Sequence, residues 1–243
     1  MAGHSKWSTI KRKKGALDQK RGKIFSTISK EITVSARLGG KEIDSNPRLR
    51  QAIKKAKSLN MPNSNIDKAI KKGVGELDDV IIEEVSYEGY GPYGVAVLIE
   101  AITDNKNRTV ADVRHALSKF GGSLGQSGSV SWNFERNGII LIDKKQVVED
   151  DIFEFSVEND CNEFFIDEEF YRLHFNSQDL YSKIDKLEKM DIEIDSSFLA
   201  FIPKDLISLS PDENNNFEKF IDFLEGQEDV QNVFSNHNFV ESL

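Results

Sequence analysis

The sequence predicts an α+β protein: a basic N-terminal three-helix domain, then two ferredoxin-like α/β domains, one inserted into the other. Three observations carry this. Charge splits sharply along the chain. Residues 1–75 hold 19 Lys/Arg against 5 Asp/Glu, a net of +14, while residues 76–243 hold 13 against 36, a net of −23. Apolar residues recur at helical spacing before residue 75 and alternate in short segments after it. From residue 94 onward the order of elements reads βαββαβ twice, one copy nested in the other.

The first helix is expected over 16–38. Ile24, Ile28 and Ile32 fall at spacing four, Phe25 and Leu38 broaden the face, and Gly39-Gly40 ends it. Asn46 is placed to cap the second helix, with Pro47 at its first position and Leu49, Ala52, Ile53 and Ala56 facing inward. A third helix follows Met61-Pro62-Asn63, buries Ile66, Ala69 and Ile70, and stops at Gly73. This gives domain one as 1–75.

An acidic, glycine-flanked stretch from Gly75 to Asp79 marks a boundary. Strands are expected at 80–87, 94–102 and 128–134, with a helix at 108–120 between the last two. The stretch after Glu135 reads as strand 138–143, helix 145–156, strands 160–166 and 170–175, helix 177–190 and strand 192–202. Strand 205–209, helix 212–226 and strand 229–235 complete the outer copy, with 80–87 as an extra strand. The discontinuous domain is therefore 76–134 plus 204–243, and the inserted domain is 135–203.

Composition bounds the function. Hydrophobic residues make up 38% and charged residues 30%, the balance of a soluble globular chain with real cores. The lone Cys161 offers no disulfide or zinc framework and suits a reducing, cytoplasmic setting. No apolar run reaches membrane-spanning length. His4, His115, His174 and His237 are scattered without metal spacing, and phosphate-binding or dinucleotide glycine fingerprints are absent. The acidic runs Glu149-Asp150-Asp151 and Asp167-Glu168-Glu169 read as solvated turns or faces. No enzyme, metal, cofactor, membrane or small-molecule substrate is expected.

Nucleic acid is the expected partner. Nine Lys and Arg lie between residues 6 and 30, a density that calls for a polyanion or stays solvated as a tail. Lys6, Lys11, Arg12, Lys13, Lys14, Lys20, Arg21 and Lys23 are candidate phosphate contacts, and His4 and Trp7 can order or stack the arm. Arg48 and Arg50 extend the set onto the second helix. The loop Tyr87-Glu-Gly-Tyr-Gly-Pro-Tyr-Gly94 presents Tyr90 and Tyr93, as stacking faces or as ordinary hairpin residues packed on the sheet. Asn105, Lys106 and Arg108 stand at a strand-to-helix junction, where backbone N–H groups favour an anion or a side chain caps the helix. No helix-turn-helix is evident.

Several stretches, taken in order, resemble the YebC/PmpR family. They are Met1-Ala-Gly-His-Ser-Lys-Trp7, Lys20-Arg-Gly-Lys-Ile-Phe25, Asn46-Pro-Arg-Leu-Arg50, Asn60-Met-Pro62, Tyr87-Glu-Gly-Tyr-Gly-Pro92, Thr103-Asp-Asn105 and Asn107-Arg-Thr109. A weaker match runs through 204–235, including Asp229-Val-Gln-Asn-Val233, while the acidic, Phe-rich Phe153 to Phe165 departs from the pattern. The resemblance implies a helical bundle plus two α/β domains, one interrupting the other. It also implies a DNA-binding transcriptional regulator acting on promoter DNA. The alternative it offers is a ribosome-associated translation factor that binds ribosomal RNA and relieves stalling, as in the mitochondrial relatives that activate translation of a cytochrome oxidase subunit. A protein-interaction scaffold is the third reading.

Overall fold

Apolar spacing of four organises the helical region. In the computed structural model, which describes residues 21–77 and 82–239, α1 is Arg21–Gly39, α2 is Pro47–Ser58 and α3 is Asn63–Gly73. Ile28, Ile32 and Ala36 of α1 pack against Leu49, Ala52, Ile53 and Ala56 of α2 and Ile66 and Ala69 of α3. Asn46 is buried and does two jobs. Its Oδ1 accepts from the Leu49 N–H at 3.1 Å, capping α2. Its Nδ2 donates to the Ser35 and Gly40 carbonyls, each at 2.8 Å, which ties off the end of α1. Gly73 permits the close crossing of α3 on α1, because a Cβ there would lie 2.3 Å from the Thr33 carbonyl oxygen.

The next elements are β1 (Glu83–Tyr90), β2 (Ala96–Thr103), α4 (Lys106–Lys119) and β3 (Ser123–Leu124). β1 and β2 form an antiparallel hairpin from Glu83↔Thr103 to Tyr90↔Ala96, joined through a short 3-10 turn, Pro92–Gly94. After the insertion come β8 (Ile207–Leu209), α7 (Pro211–Gly226), β9 (Val230–Ser235) and β10 (His237–Phe239). A capping box starts α7: Ser210 and Glu213 bond reciprocally, with Pro211 at the first turn. The sheet runs β3-β1-β2-β9. Val95, Val97 and Ile99 meet Val113 and Leu117 of α4 and Phe217, Phe220 and Leu224 of α7 in one core.

The strand bookkeeping of this outer domain differs from the sequence expectation. Residues 128–134 are not a strand. They form a tight loop and a 3-10 turn, Ser131–Asn133, before β4 begins at Phe134. The buried Glu88 carboxylate causes this, since it accepts from the Gly128, Val130 and Ser131 N–H groups at 2.8 Å each and so takes the donors a ladder would need. β8 also leaves the main sheet and pairs in parallel with β10. The strand expected to be extra, β1, fills the inner place beside β2. Sheet order is still that of a ferredoxin-like domain, with two strands supplied by other segments: β1 in place of 205–209 and β3 in place of 128–134.

The inserted segment keeps its own order. It comprises β4 (Phe134–Asp143), α5 (Glu149–Glu158), β5 (Glu163–Ile166), β6 (Phe170–Asn176), α6 (Leu180–Lys189) and β7 (Ser196–Pro203). Its sheet runs β5-β6-β4-β7, the split-βαβ arrangement with every strand where the sequence order puts it. Ile140 and Ile142 of β4, Leu173 and Phe175 of β6, and Ile152, Ile184 and Leu187 of the helices form its core. Phe134–Ile202 makes one compact unit, and the rest of the described chain makes the other.

Candidate nucleic-acid interface

The predicted contact residues divide into three groups. His4, Lys6, Trp7, Lys11, Arg12, Lys13, Lys14 and Lys20 lie outside the described residues. Arg21 opens α1. The others are in view, and most of their charge is used within the protein.

Lys23 and Lys30 of α1 reach across to the end of α7. Lys23 Nζ donates to the Glu225 carbonyl and, at 2.6 Å, to the Gln227 carbonyl. Lys30 Nζ donates to the Glu228 carbonyl at 3.0 Å and to Asp229 Oδ1 at 2.8 Å. These carbonyls end a helix, where the partial negative charge of the macrodipole favours cations. Asp229 is the hub. It is 3% exposed and also accepts from Arg108 Nη2 at 2.8 Å and from the hydroxyls of Thr103 at 3.1 Å and Thr109 at 2.8 Å. Burial alone would push its carboxyl pKa up. The bonds from Lys30, Arg108 and Thr109 outweigh burial and bring it down to about 2.

Arg48 and Lys106 are engaged in the same way. Arg48 Nε donates to Glu31 Oε1 at 2.7 Å, and its Nη2 bonds the Glu84 carboxylate, so α2 is clamped to α1 and β1. Burial works against the guanidinium charge, but the two carboxylates hold it protonated. Lys106 pairs with Glu83 at 2.7 Å. Asn105 caps α4 by accepting from the Arg108 N–H at 3.1 Å, which occupies a donor that a phosphate would have needed. Arg50 Nη1 turns back to the Asp44 carbonyl at 3.3 Å.

The solvent-facing cations are different residues. Lys54, Lys55 and Lys57 of α2 and Lys68 and Lys71 of α3 are exposed. Spacing of three puts Lys54 with Lys57, and Lys68 with Lys71, on one face of their helices. Between residues 45 and 75 the sequence holds a single acid, Asp67. Lysines are flexible point charges, the kind of group that positions a phosphate without reading a base.

A second surface lies on the loops beside β1. Tyr90 is 39% exposed, Tyr93 45% and Trp132 63%. Tyr93 holds a left-handed φ of 63° between Pro92 and Gly94, and its hydroxyl accepts from Asn216 Nδ2 at 3.0 Å. Tyr90 Oη and Trp132 Nε1 both donate to the Ser129 carbonyl, at 3.2 and 3.0 Å. The sequence expectation placed Trp132 on a strand over 128–134. The Glu88 clamp turns that segment into a loop and leaves the indole in solvent.

The residues considered for chemistry are accounted for structurally. His174 is buried, its Nε2 stands 3.4 Å from Arg172 Nη1, and burial brings its pKa down to about 4. His237 packs on Phe217 at 4.5 Å and is likewise lowered by burial to about 4. Burial pushes the Cys161 thiol pKa up, the opposite of what a nucleophile needs. Among the described residues no group of three or more His, Cys, Asp or Glu could hold a metal ion, and no helix is long and apolar enough to cross a membrane.

Known proteins share this architecture. Residues 5–76 match the model of the TACO1/YebC protein N-terminal domain, and residues 82–237 match that of the TACO1/YebC second and third domain. A probable transcriptional regulatory protein of Sulfurihydrogenibium sp. is 47% identical over 245 residues, covering 100% of this chain and 98% of that one. Its counterpart in Desulfotalea psychrophila is 47% identical over 244 residues with the same coverage. A crystal structure of a conserved hypothetical protein from Aquifex aeolicus superposes with a TM-score of 0.85 at 41% identity, covering 94% of this chain and 95% of that one. The chain therefore belongs to the TACO1/YebC family.

Proposed function

We propose that this protein is a non-enzymatic, nucleic-acid-binding regulator of gene expression. The exposed Lys57, Lys68 and Lys71 on the outer faces of α2 and α3 carry the reading, because they present positive charge to solvent. The N-terminal basic run Lys6 to Lys23 adds to the same pole of the sequence. Net negative charge over the remaining chain repels phosphate and favours a single docking orientation. The relatives are named probable transcriptional regulatory proteins, which favours transcriptional control, with promoter DNA as the target this reading proposes. Exposed, hydrogen-bonded aromatics at Tyr90 and Trp132 favour RNA as the second reading, since RNA is read largely through unpaired, stackable bases.

Ultraviolet cross-linking of the tagged protein in cells, followed by sequencing of recovered DNA and RNA, decides between them. Discrete promoter fragments support transcriptional control. Ribosomal RNA from one region supports action on the ribosome. Recovery of neither, at the level of an untagged control, refutes nucleic-acid binding.

A further inference from the structure

We propose that Tyr90 and Trp132 form a stacking platform for unpaired nucleobases of an RNA strand, separate from the phosphate-binding lysines. The inference rests on the nucleic-acid reading above and assigns part of it to specific side chains.

Geometry comes first. Two donors that share the Ser129 carbonyl lie no more than about 6 Å apart. The hydrogen bonds fix the polar end of each ring and leave ring surface in solvent. The support beneath them is stiff. Glu88 pins Gly128, Val130 and Ser131, and the Gly125 N–H donates to the Glu88 carbonyl at 2.7 Å. A Cβ at Gly122 would stand 2.3 Å from the Tyr90 carbonyl oxygen, so the two loops touch backbone to backbone. Rings held this way lose little entropy on stacking.

Charge narrows the ligand. Residues 89–99 and 120–134 contain no Asp, Glu, Lys or Arg, in a stretch of chain that is otherwise strongly acidic. Glu88 keeps its charge beneath the loop, bonded to backbone N–H groups that hold its pKa down against burial. The loops that carry the rings thus add no charge of their own to repel a polyanion, and the exposed Lys204 and Asp205 border them, their N–H groups donating to Asn133 at 2.8 Å each. The two loops contribute aromatic faces and no cation of their own, so the platform suits sequence-tolerant stacking. Bases in a duplex keep their faces against their neighbours and are unavailable to it.

The sequence holds two tryptophans, Trp7 and Trp132, and this makes a direct test. In a Trp7→Phe background Trp132 is the sole indole. The full chain would be titrated with an unstructured mixed-sequence 12-nucleotide RNA and with a 12-base-pair duplex DNA, following both anisotropy of the labelled nucleic acid and indole emission. The expected result is quenching of Trp132 by the single-stranded RNA but not by the duplex. Trp132→Ala in that background should weaken RNA binding by about 5- to 150-fold, the range for losing one stacked base, and leave duplex binding unchanged. Tyr90→Phe, which keeps the ring, should retain most of the affinity. RNA binding without quenching, and with Trp132→Ala unaltered, overturns the platform while leaving the proposed function intact. Binding of neither nucleic acid overturns both. Quenching by a proline-rich decapeptide but not by RNA reassigns the surface to proline-rich chains, which also favour aromatic grooves, and overturns the inference.

Discussion

Lys23 and Lys30, which reach the Asp229 corner, and the cations on the outer faces of α2 and α3 belong to one basic pole of the sequence, yet they do different work. Lys30 and Arg108 converge on a carboxylate that is 3% exposed, and Lys23 caps the neighbouring helix end. Lys57, Lys68 and Lys71 face solvent. Net charge along a sequence therefore overstates what is available to a ligand. Part of the +14 is spent on joining the helical region to the α/β sheet that follows it.

The comparison is broken most severely at the hub. Asp229→Ala should lower the free energy of unfolding by about 3–5 kcal/mol, because Lys30 and Arg108 lose their common partner and Thr103 and Thr109 their acceptor. Urea unfolding followed by circular dichroism measures this, and a loss under 1 kcal/mol would show that the hub is dispensable. The folded fraction of this variant should bind nucleic acid as before.

Acid separates the hub from the buried imidazoles. Asp229 has a folded pKa of about 2, below its unfolded value, so its contribution is present above about pH 4 and is lost as pH falls towards 2. His174 and His237 are also depressed, to about 4. Their stability is complete above about pH 6.5 and drains as pH falls from there to 4. The urea midpoint should thus decline in two stages, with His174→Gln flattening the upper stage and leaving the lower. A single acid transition centred near pH 2 would refute the assignment of the upper stage.

The smallest effect on stability should come from the solvent-facing set. Replacing Lys57, Lys68 and Lys71 together by Ala should shift stability by no more than about 0.5 kcal/mol per site. Its effect belongs in binding: affinity falls for every sequence, and the slope of log affinity against log salt becomes shallower by up to about 0.9 per lysine on duplex DNA or 0.7 on single strands. An unchanged salt slope would remove these helices from the interface.

Much of the fold was legible in the sequence. Asn46-Pro47 marked the start of α2, spacing of four marked the core of α1, and the inserted domain appeared strand by strand because each of its elements sits beside partners near in sequence. The outer domain was legible in its elements but less so in its pairings. Nothing local in Val130-Ser-Trp-Asn-Phe134 says that Glu88, about forty residues earlier, will take its N–H groups. The capping box at Ser210 and Glu213 did carry a readable signal, Ser-x-x-Glu before an apolar run.

The sequence by itself determined composition, charge polarity, most helix starts and stops, and most of the core of the helical region, Leu38 being exposed instead, because propensity and periodicity are properties of neighbouring residues. Tertiary structure alone decided which cations are free to meet a ligand and which aromatics face water. Those outcomes depend on long-range partners: Asp229 claims Arg108 across 121 residues, and Glu88 pins the loop that carries Trp132 into solvent. A side chain's availability is set by what it has already bonded, and that is known only once the chain has folded.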